Sequence, residues 1–272
     1  HVYNDWVPGE TARSEKVIGQ WLKASQKRNE VILSTKGGHP RLETMEISRA
    51  VPEEIKQDLE ESLAYLGVDT IDLYFLHRDN ISLPAEELLA VLEQAKREGK
   101  IRCYGCSNWK LDRIREAEEA AKKNGFSGFI CNQVMWSLAV VNEEQLTDPT
   151  LVLMDDETLE YQKQTKMNTM AYTSLAKGYF SKKIAGKAIR EPNASLYKNK
   201  ANDGLEVYLR RLEREEGISP MAASMAYLME QDVVTVPIIS FSSMGQLEEA
   251  IQASGTTLGK ARMETLEVLR RG

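Results

Sequence analysis

Hydrophobic and polar residues follow two patterns that alternate along this chain, one typical of strands and the other typical of helices. Short runs of β-branched and aromatic residues recur, and each run predicts a buried strand. These runs are residues 31–34, 71–76, 101–104, 129–131, 168–172 and 233–236. Amphipathic stretches lie between them. Strands that alternate with helices indicate a parallel sheet covered by helices.

The stretch after Pro52 has the clearest helical pattern. Its apolar residues recur at three- and four-residue spacing; they are Ile55, Leu59, Leu63 and Leu66. This spacing predicts a helix with one apolar face. Pro52 suits the first helical position, and Gly67 suits the end of the helix. By the same reasoning a charged helix over residues 201–216 ends at Gly217, and Ser219 begins the next helix.

Both an open doubly wound sheet and a closed (β/α)8 barrel fit this order of elements. No G-x-G-x-x-G sequence follows any predicted strand, so the fingerprint of the open dinucleotide-binding sheet is missing. The sequence therefore favours a (β/α)8 barrel, and residues 1–272 are predicted to form one domain. The six predicted strands are two short of eight. Residues 177–200 are predicted to form a long loop.

Composition narrows the functional classes. The net charge of −6 argues against a nucleic-acid-binding surface, and no apolar run approaches the roughly 18 residues of a membrane helix. Three cysteines are too few for a disulfide framework and suit a reducing cytoplasm. Cys103 and Cys106 have the C-x-x-C spacing of redox and zinc sites. They lie in a predicted strand without a second pair, which favours buried structural thiols and predicts no metal site.

Four short segments follow one another along the chain, three of them at the ends of predicted strands. They are His1-Val2-Tyr3-Asn4 with Ser14-Glu15, Ser34-Thr35-Lys36-Gly37, Asp69 to His77, and Gly105-Cys106-Ser107-Asn108-Trp109. In this order they resemble the motifs of the aldo-keto reductase family, and the resemblance covers essentially the whole chain. It implies a (β/α)8 barrel that interconverts a small aldehyde or ketone and an alcohol with NAD(P)H.

The resemblance implies a catalytic group made of Tyr3, Lys36 and His77. Reduction of a carbonyl needs a hydride at carbon and a proton at oxygen, so the site needs a cofactor and a general acid. Tyr3 is the expected acid. A free tyrosine has a pKa of about 10, and the nearby ammonium of Lys36 is expected to stabilise the phenolate. His77 is expected to hydrogen-bond the carbonyl oxygen.

The resemblance also implies a set of cofactor contacts. Ser107 and Asn108 match the serine–asparagine pair that holds the nicotinamide carboxamide, and Tyr172 is expected to stack on the nicotinamide ring. The other matching positions are Gln133, Ser174, Leu175, Ser240, Ser242 and Gln246. Residues 233–259 contain no lysine or arginine, so the strongest side-chain contact to a 2′-phosphate is missing. NADP(H) is the default that the family implies, and NAD(H) stays open.

Three residues are expected at the substrate pocket: Trp6, His39 and Trp109. Trp21, at helical spacing from apolar neighbours, is predicted to lie in the core. The family's catalytic group includes an aspartate a few residues before the tyrosine, whereas this chain begins two residues before Tyr3. The chain is therefore expected to lack the first strand, first helix and second strand of the barrel, and to turn over poorly. The alternatives are a non-catalytic, cofactor-binding regulatory or structural subunit and a hydrolytic barrel enzyme.

Overall fold

The computed structural model describes Tyr3, Val7, Gly9 and residues 11–272, which divide into two compact units. The first unit spans His1–Gln133 and the second Val134–Gly272. Across the described residues there are six strands and eleven α-helices, with at least one α-helix between successive strands, which confirms the predicted α/β class. No helix in that part of the chain is both long and apolar enough to cross a bilayer. The prediction of one barrel domain stays a prediction.

The first unit is a parallel sheet with helices between its strands. Its elements are α1 (Arg13–Ser25), a 3₁₀ helix (Arg28–Glu30), β1 (Ser34–Gly37), α2 (Pro52–Leu66), β2 (Ile71–Leu76), α3 (Ala85–Arg97), β3 (Ile101–Ser107), α4 (Leu111–Asn124) and β4 (Cys131–Met135). Adjacent strands in sequence are adjacent in the sheet, and all pairs are parallel. Parallel pairing of this kind places the carboxyl ends of the strands at one edge.

Helix α2 confirms its predicted bounds and its predicted buried face. The four apolar residues at three- and four-residue spacing are all buried: Ile55, Leu59, Leu63 and Leu66. Gly67 ends the helix with a φ of 64°, and its N–H donates to the carbonyls of Ala64 and Leu63. A left-handed backbone at this position favours glycine, since a Cβ would strain it.

The predicted start of the first strand was wrong. Residues 31–33 precede β1, and Ile32 keeps 85% of its surface exposed. The backbone N–H of Leu33 donates to the carboxylate of Asp72 at 2.8 Å, so a side chain takes the bond that a neighbouring strand would otherwise accept. Trp21 was also predicted wrongly, because it is 46% exposed while the next residue, Leu22, is buried.

The second unit carries one parallel strand pair and seven of the eleven α-helices that the structure describes. Its elements are a 3₁₀ helix (Glu143–Gln145), α5 (Asp156–Thr165), β5 (Asn168–Tyr172), a 3₁₀ helix (Ala176–Gly178), α6 (Tyr179–Ile184), α7 (Asn193–Tyr197), α8 (Lys200–Glu216), α9 (Pro220–Met229), β6 (Thr235–Pro237), α10 (Met244–Ala253) and α11 (Lys260–Arg271). β5 and β6 pair in parallel. Gly217 ends α8 and the Ser219 hydroxyl accepts from the N–H of Ala222, as predicted.

Residues 177–200 were predicted to form one irregular loop, and this was wrong for about half of them. The segment contains α6 and α7. Tyr179, Phe180, Leu196 and Tyr197 are all buried in the core of the second unit. Their burial stabilises two short helices. The sequence did not predict these helices, because the glycine and proline residues of the segment have low helix propensity.

Candidate active site

The first unit brings the predicted catalytic residues to the carboxyl ends of its strands. Lys36 is the third residue of β1 and pairs with Phe75 of β2. His77 follows β2 directly, and its N–H donates to the Gly37 carbonyl at 2.8 Å, which extends the ladder by one bond. Ser107 is the last residue of β3. Parallel register therefore places Lys36, His77 and Ser107 at the same edge of the sheet, as the sequence predicted.

Lys36 and Tyr3 form a direct pair. The Lys36 ammonium Nζ donates to the Tyr3 hydroxyl at 2.9 Å and lies 4.9 Å from the centre of the phenol ring. Lys36 is buried, whereas Tyr3 keeps 39% of its surface exposed. The Tyr3 residue is therefore partly open to solvent, and its hydroxyl is bonded to a buried cation. This arrangement suits a tyrosine that gives up a proton, because the ammonium stabilises the phenolate.

His77 completes the group as a neutral ring. Its ring centre is 5.5 Å from that of Tyr3. Burial is the largest cause that lowers the pKa of His77 well below its usual value, followed by the positive charges of Lys36, His39 and Arg78. The imidazole is therefore uncharged at neutral pH. Its buried Nδ1 has no hydrogen-bond partner among the described residues, so the ring keeps hydrogen-bonding capacity that a ligand can use.

A buried ion pair fixes the loop after β1, and the sequence reasoning missed it. The Asp58 carboxylate accepts from the N–H of Gly38 at 2.8 Å and from the guanidinium of Arg49 at 2.6 Å. Arg49 also donates to the His39 carbonyl at 3.2 Å. One signal was available, since Asp58 is a charged residue on the apolar face of α2, next to Leu59.

Gly37 is required by close packing. A Cβ at this position would lie 2.0 Å from the hydroxyl oxygen of Tyr74, a fully buried side chain. Real atoms do not approach so closely, so any larger residue would displace Tyr74 or β1. Since Lys36 and Gly37 are adjacent in the same strand, the close fit also fixes the strand that carries the lysine.

The polar residues predicted to hold the nicotinamide carboxamide lie together in the first unit. Ser107 pairs with Gln133 across β3 and β4, and the N–H of Asn108 donates to the Gln133 carbonyl at 3.2 Å. The Asn108 side-chain amide donates to the Ser107 hydroxyl at 3.1 Å, and the Asn108 backbone is left-handed, with a φ of 59°. All three side chains are buried. Two amides and a hydroxyl suit a carboxamide, which both donates and accepts, so these residues fit the group.

The remaining cofactor positions belong to the second unit. Tyr172 ends β5 and is half-buried, and the Ser174 hydroxyl donates to the Ile238 carbonyl at 2.7 Å. Leu175 packs against an apolar cluster with Ile239 and Phe241. The loop that begins after Tyr172 has a strained backbone, because Thr173, Ala176 and Lys177 all have φ values near 50°. Such strain in non-glycine residues tends to cluster at functional sites, and no sequence pattern indicated it.

The segment before α10 forms its own hydrogen-bonded cap. The Ser243 side chain accepts from the N–H of Gln246. The Gln246 side-chain oxygen in turn accepts from the backbone N–H of Ser242 at 2.9 Å and from its hydroxyl at 3.1 Å. Ser240, in the loop after β6, is exposed, as are Ser242 and Gln246. The pattern is a variant of the capping box, in which Gln246 bonds to the residue before the N-cap instead of the N-cap itself.

The three residues predicted at the substrate pocket have different surroundings. His39 is buried, with its ring centre 4.6 Å from that of His77. Trp109 is completely buried, packed 5.0 Å from Phe129 and under the guanidinium of Arg113. This position places its indole in the core of the first unit rather than at a surface. Trp6 lies outside the described residues.

The cysteines behave as structural residues. Cys103 is half-buried, Cys106 and Cys131 are buried, and all three are free thiols. Burial is the largest cause that raises the pKa of the Cys106 thiol well above its usual value, which disfavours the reactive thiolate. Across Tyr3, Val7, Gly9 and residues 11–272, no cluster of three or more histidine, cysteine or acidic side chains could hold a metal ion.

Comparison with known proteins identifies the family. A sequence model of the "Aldo/keto reductase family" matches residues 1–271. Aldo-keto reductase str7 of Strobilurus tenacellus is 25% identical over an alignment that covers 99% of this chain and 75% of that protein. Aldo-keto reductase yakc [NADP(+)] of Schizosaccharomyces pombe is 27% identical, with 93% of this chain and 73% of that protein aligned.

A solved structure shows the same fold. The crystal structure of the thermostable aldo-keto reductase Tm1743, in complex with the inhibitor epalrestat, matches with a TM-score of 0.68 and 24% identity. The match covers 94% of this chain and 77% of that chain. This likeness confirms the predicted (β/α)8 class. The family match begins at residue 1 and gives no support to the prediction that an N-terminal part of the barrel is missing.

Proposed function

The chain belongs to the aldo/keto reductase family, a family of oxidoreductases, and on that premise we propose that it reduces a small aldehyde or ketone to an alcohol. The observation that carries the proposal is the pair formed by the ammonium of buried Lys36 and the hydroxyl of exposed Tyr3, 2.9 Å apart and beside His77. A protein that only binds a cofactor does not need a supported acid. A bound nicotinamide cofactor supplies the hydride that the carbonyl carbon accepts.

The chain's own residues handle the proton and the oxygen. Tyr3 donates its hydroxyl proton to the carbonyl oxygen as that oxygen gains negative charge. Lys36 stabilises the phenolate that this leaves behind, through a hydrogen bond from a buried ammonium. The neutral imidazole of His77 donates an N–H to the same oxygen, which orients the substrate and stabilises the developing charge.

The family resemblance assigns residues of this chain to the parts of a nicotinamide cofactor. In the first unit, Ser107, Asn108 and Gln133 hold the carboxamide. Tyr172 matches the family position expected to stack on the nicotinamide ring, and Ser174 and Leu175 match later cofactor-contacting positions. The segment that carries Ser240, Ser242 and Gln246 holds the adenosine end. It contains no basic side chain, so we propose NADP(H) as the default cofactor and use of NAD(H) at comparable affinity.

The test of the acid is Tyr3→Phe. We expect at least a hundredfold loss in the rate of NADPH-dependent carbonyl reduction, since general acid catalysis contributes about 10²–10⁴-fold. Binding of the cofactor should change little. The matched control is Tyr208→Phe, the same substitution at a half-buried tyrosine on α8 of the second unit. Unchanged reduction by Tyr3→Phe would exclude Tyr3 as the acid and favour a non-catalytic, cofactor-binding role.

The test of the cofactor is a binding titration. Quenching of tryptophan fluorescence is followed as NADPH or NADH is added to the purified chain. We expect saturable binding of both, with dissociation constants within about tenfold of each other, because the arginine contact that would give a larger preference is missing. Binding of NADPH more than a hundredfold tighter would show that other residues supply the missing charge, with Lys177 the first to replace.

A further inference from the structure

The ring contact between His39 and His77 is the strongest feature of the site that the proposed reaction does not already use. The two ring centres are 4.6 Å apart at an interplanar angle of 62°, an edge-to-face contact. Both rings are buried. We propose that His39 is a positioning residue: its imidazole packs against His77 and holds that ring where it can donate to the carbonyl oxygen. This inference rests on the proposed function.

His39 is itself held in one orientation. Its Nδ1 lies 2.6 Å from the carbonyl oxygen of Pro40. A carbonyl can only accept, so Nδ1 carries the proton and the ring cannot turn without losing this bond. The backbone on either side is also fixed, because Arg49 donates to the His39 carbonyl and the Asp58 carboxylate accepts from Gly38. His39 is thus a fixed support, not a mobile loop side chain.

The His77 side chain, unlike that of His39, has no such hydrogen bond at its Nδ1 among the described residues. Its backbone is fixed by a bond to Gly37 and by one from the Arg78 guanidinium at 2.8 Å, but its Nδ1 has no hydrogen-bond partner among the described residues. No side-chain hydrogen bond to Nδ1 therefore orients the ring. Among the described residues, the aromatic rings that contact it are those of His39 and Tyr3, and Tyr3 is the residue that must react. Within the part of the chain that the structure describes, the His39 ring is therefore the aromatic contact that can orient the imidazole without itself reacting.

The charges around His77 agree with this role. The titratable and charged groups that face it are Lys36 from β1, Tyr3, His39 from the loop after β1, and Arg78 from its own segment. Three of the four are cationic or can become so, and each lowers the pKa of His77, after the larger effect of burial. Removal of the His39 ring would admit water and remove one of these groups, so both effects would raise the pKa of His77.

Two substitutions separate ring contact from other roles. His39→Ala removes the packing, and His39→Phe keeps an aromatic ring of similar size without the hydrogen bond to Pro40. We expect His39→Ala to lower kcat about tenfold or more, since small displacements of a catalytic group are costly, with the KM for NADPH unchanged. His39→Phe should recover most of the lost kcat. Equal losses in the two variants, or no loss in either, would overturn the proposal.

A second readout does not depend on turnover. The chain has only three histidines, His1, His39 and His77, so ¹⁵N-labelled imidazoles give few and assignable NMR signals. His39→Ala should shift the titration midpoint of His77 upward, and His39→Phe should shift it less, because the phenyl ring keeps water out although the charge of His39 is lost. A midpoint that is the same in all three proteins would show that His39 does not constrain His77. If the unaltered protein does not reduce carbonyl compounds, the proposed function is refuted. The NMR titrations would still test the contact between His39 and His77 in that case.

Discussion

The ion pair between Asp58 and Arg49 allows a quantitative prediction for Asp58→Asn. The carboxylate accepts three hydrogen bonds, two from Arg49 and one from the Gly38 N–H, and it is almost completely buried. An amide has one oxygen where the carboxylate has two, so its NH₂ group faces a donor at the other position. That donor is Arg49 Nη2 if the amide oxygen stands at the Oδ2 position, and the Gly38 N–H together with Arg49 Nη1 if it stands at the Oδ1 position. Arg49 retains its ion pair with Glu54, which limits the loss.

The magnitude follows from the bonds that are lost. A hydrogen bond to a charged group contributes about 1.5–3 kcal/mol, and Asp58→Asn removes one or two of them. We therefore expect the free energy of unfolding to fall by about 3 kcal/mol. For a chain of this size that corresponds to a decrease in Tm of roughly 6–12 °C.

The assay is urea unfolding followed by circular dichroism, together with scanning calorimetry. Glu60→Gln is the matched control, because it makes the same acid-to-amide change on α2 at an exposed residue paired with Lys100. An exposed ion pair contributes only about 0–1 kcal/mol. If Asp58→Asn were no more destabilising than Glu60→Gln, the argument that buried pairing fixes the loop after β1 would be wrong.

Three further predictions concern the same molecule. Gly37→Ala should lower the free energy of unfolding by about 1–3 kcal/mol, because the added Cβ would overlap the Tyr74 hydroxyl. In thermal unfolding, Gly245→Ala serves as the neutral control because the space around Gly245 is open, and equal Tm values for the two variants would contradict the packing argument. The pKa of His77 is lower in the folded than in the unfolded state, so its contribution to stability is present above pH about 6.5 and is lost as the pH falls through the folded-state pKa. Unfolding measured at pH 7.5 and 5.5 should show this loss of stability, and the loss should be smaller in His77→Gln. Gln246→Arg should increase the preference for NADPH over NADH about tenfold in fluorescence titrations, since a guanidinium can pair with the 2′-phosphate; an unchanged ratio would remove Gln246 from the phosphate site.

Much of the secondary structure could be predicted from the sequence because it depends on local patterns. The apolar spacing of α2, together with Pro52 and Gly67, located both ends of that helix. Strand boundaries were less accurate, since they depend on partners far along the chain. Leu33 illustrates this, because its N–H bonds to the side chain of Asp72, 39 residues away. The short helices within residues 177–200 were missed for the same reason, because burial in the second unit stabilises them.

For the candidate site too, some features could be predicted from the sequence and others depend on the tertiary structure. The sequence by itself determined which residue types stand at the ends of the strands, and the resemblance carried by Tyr3, Lys36 and His77 was enough to identify the family. Only the tertiary structure decided how these residues meet: the 2.9 Å bond from Lys36 to Tyr3, the neutral state of His77 and the ring contact with His39. Trp109 was expected at the substrate pocket, but it is completely buried in the core of the first unit. Distances, burial and charge arise from contacts between residues distant in sequence, and the local pattern of a chain does not contain them.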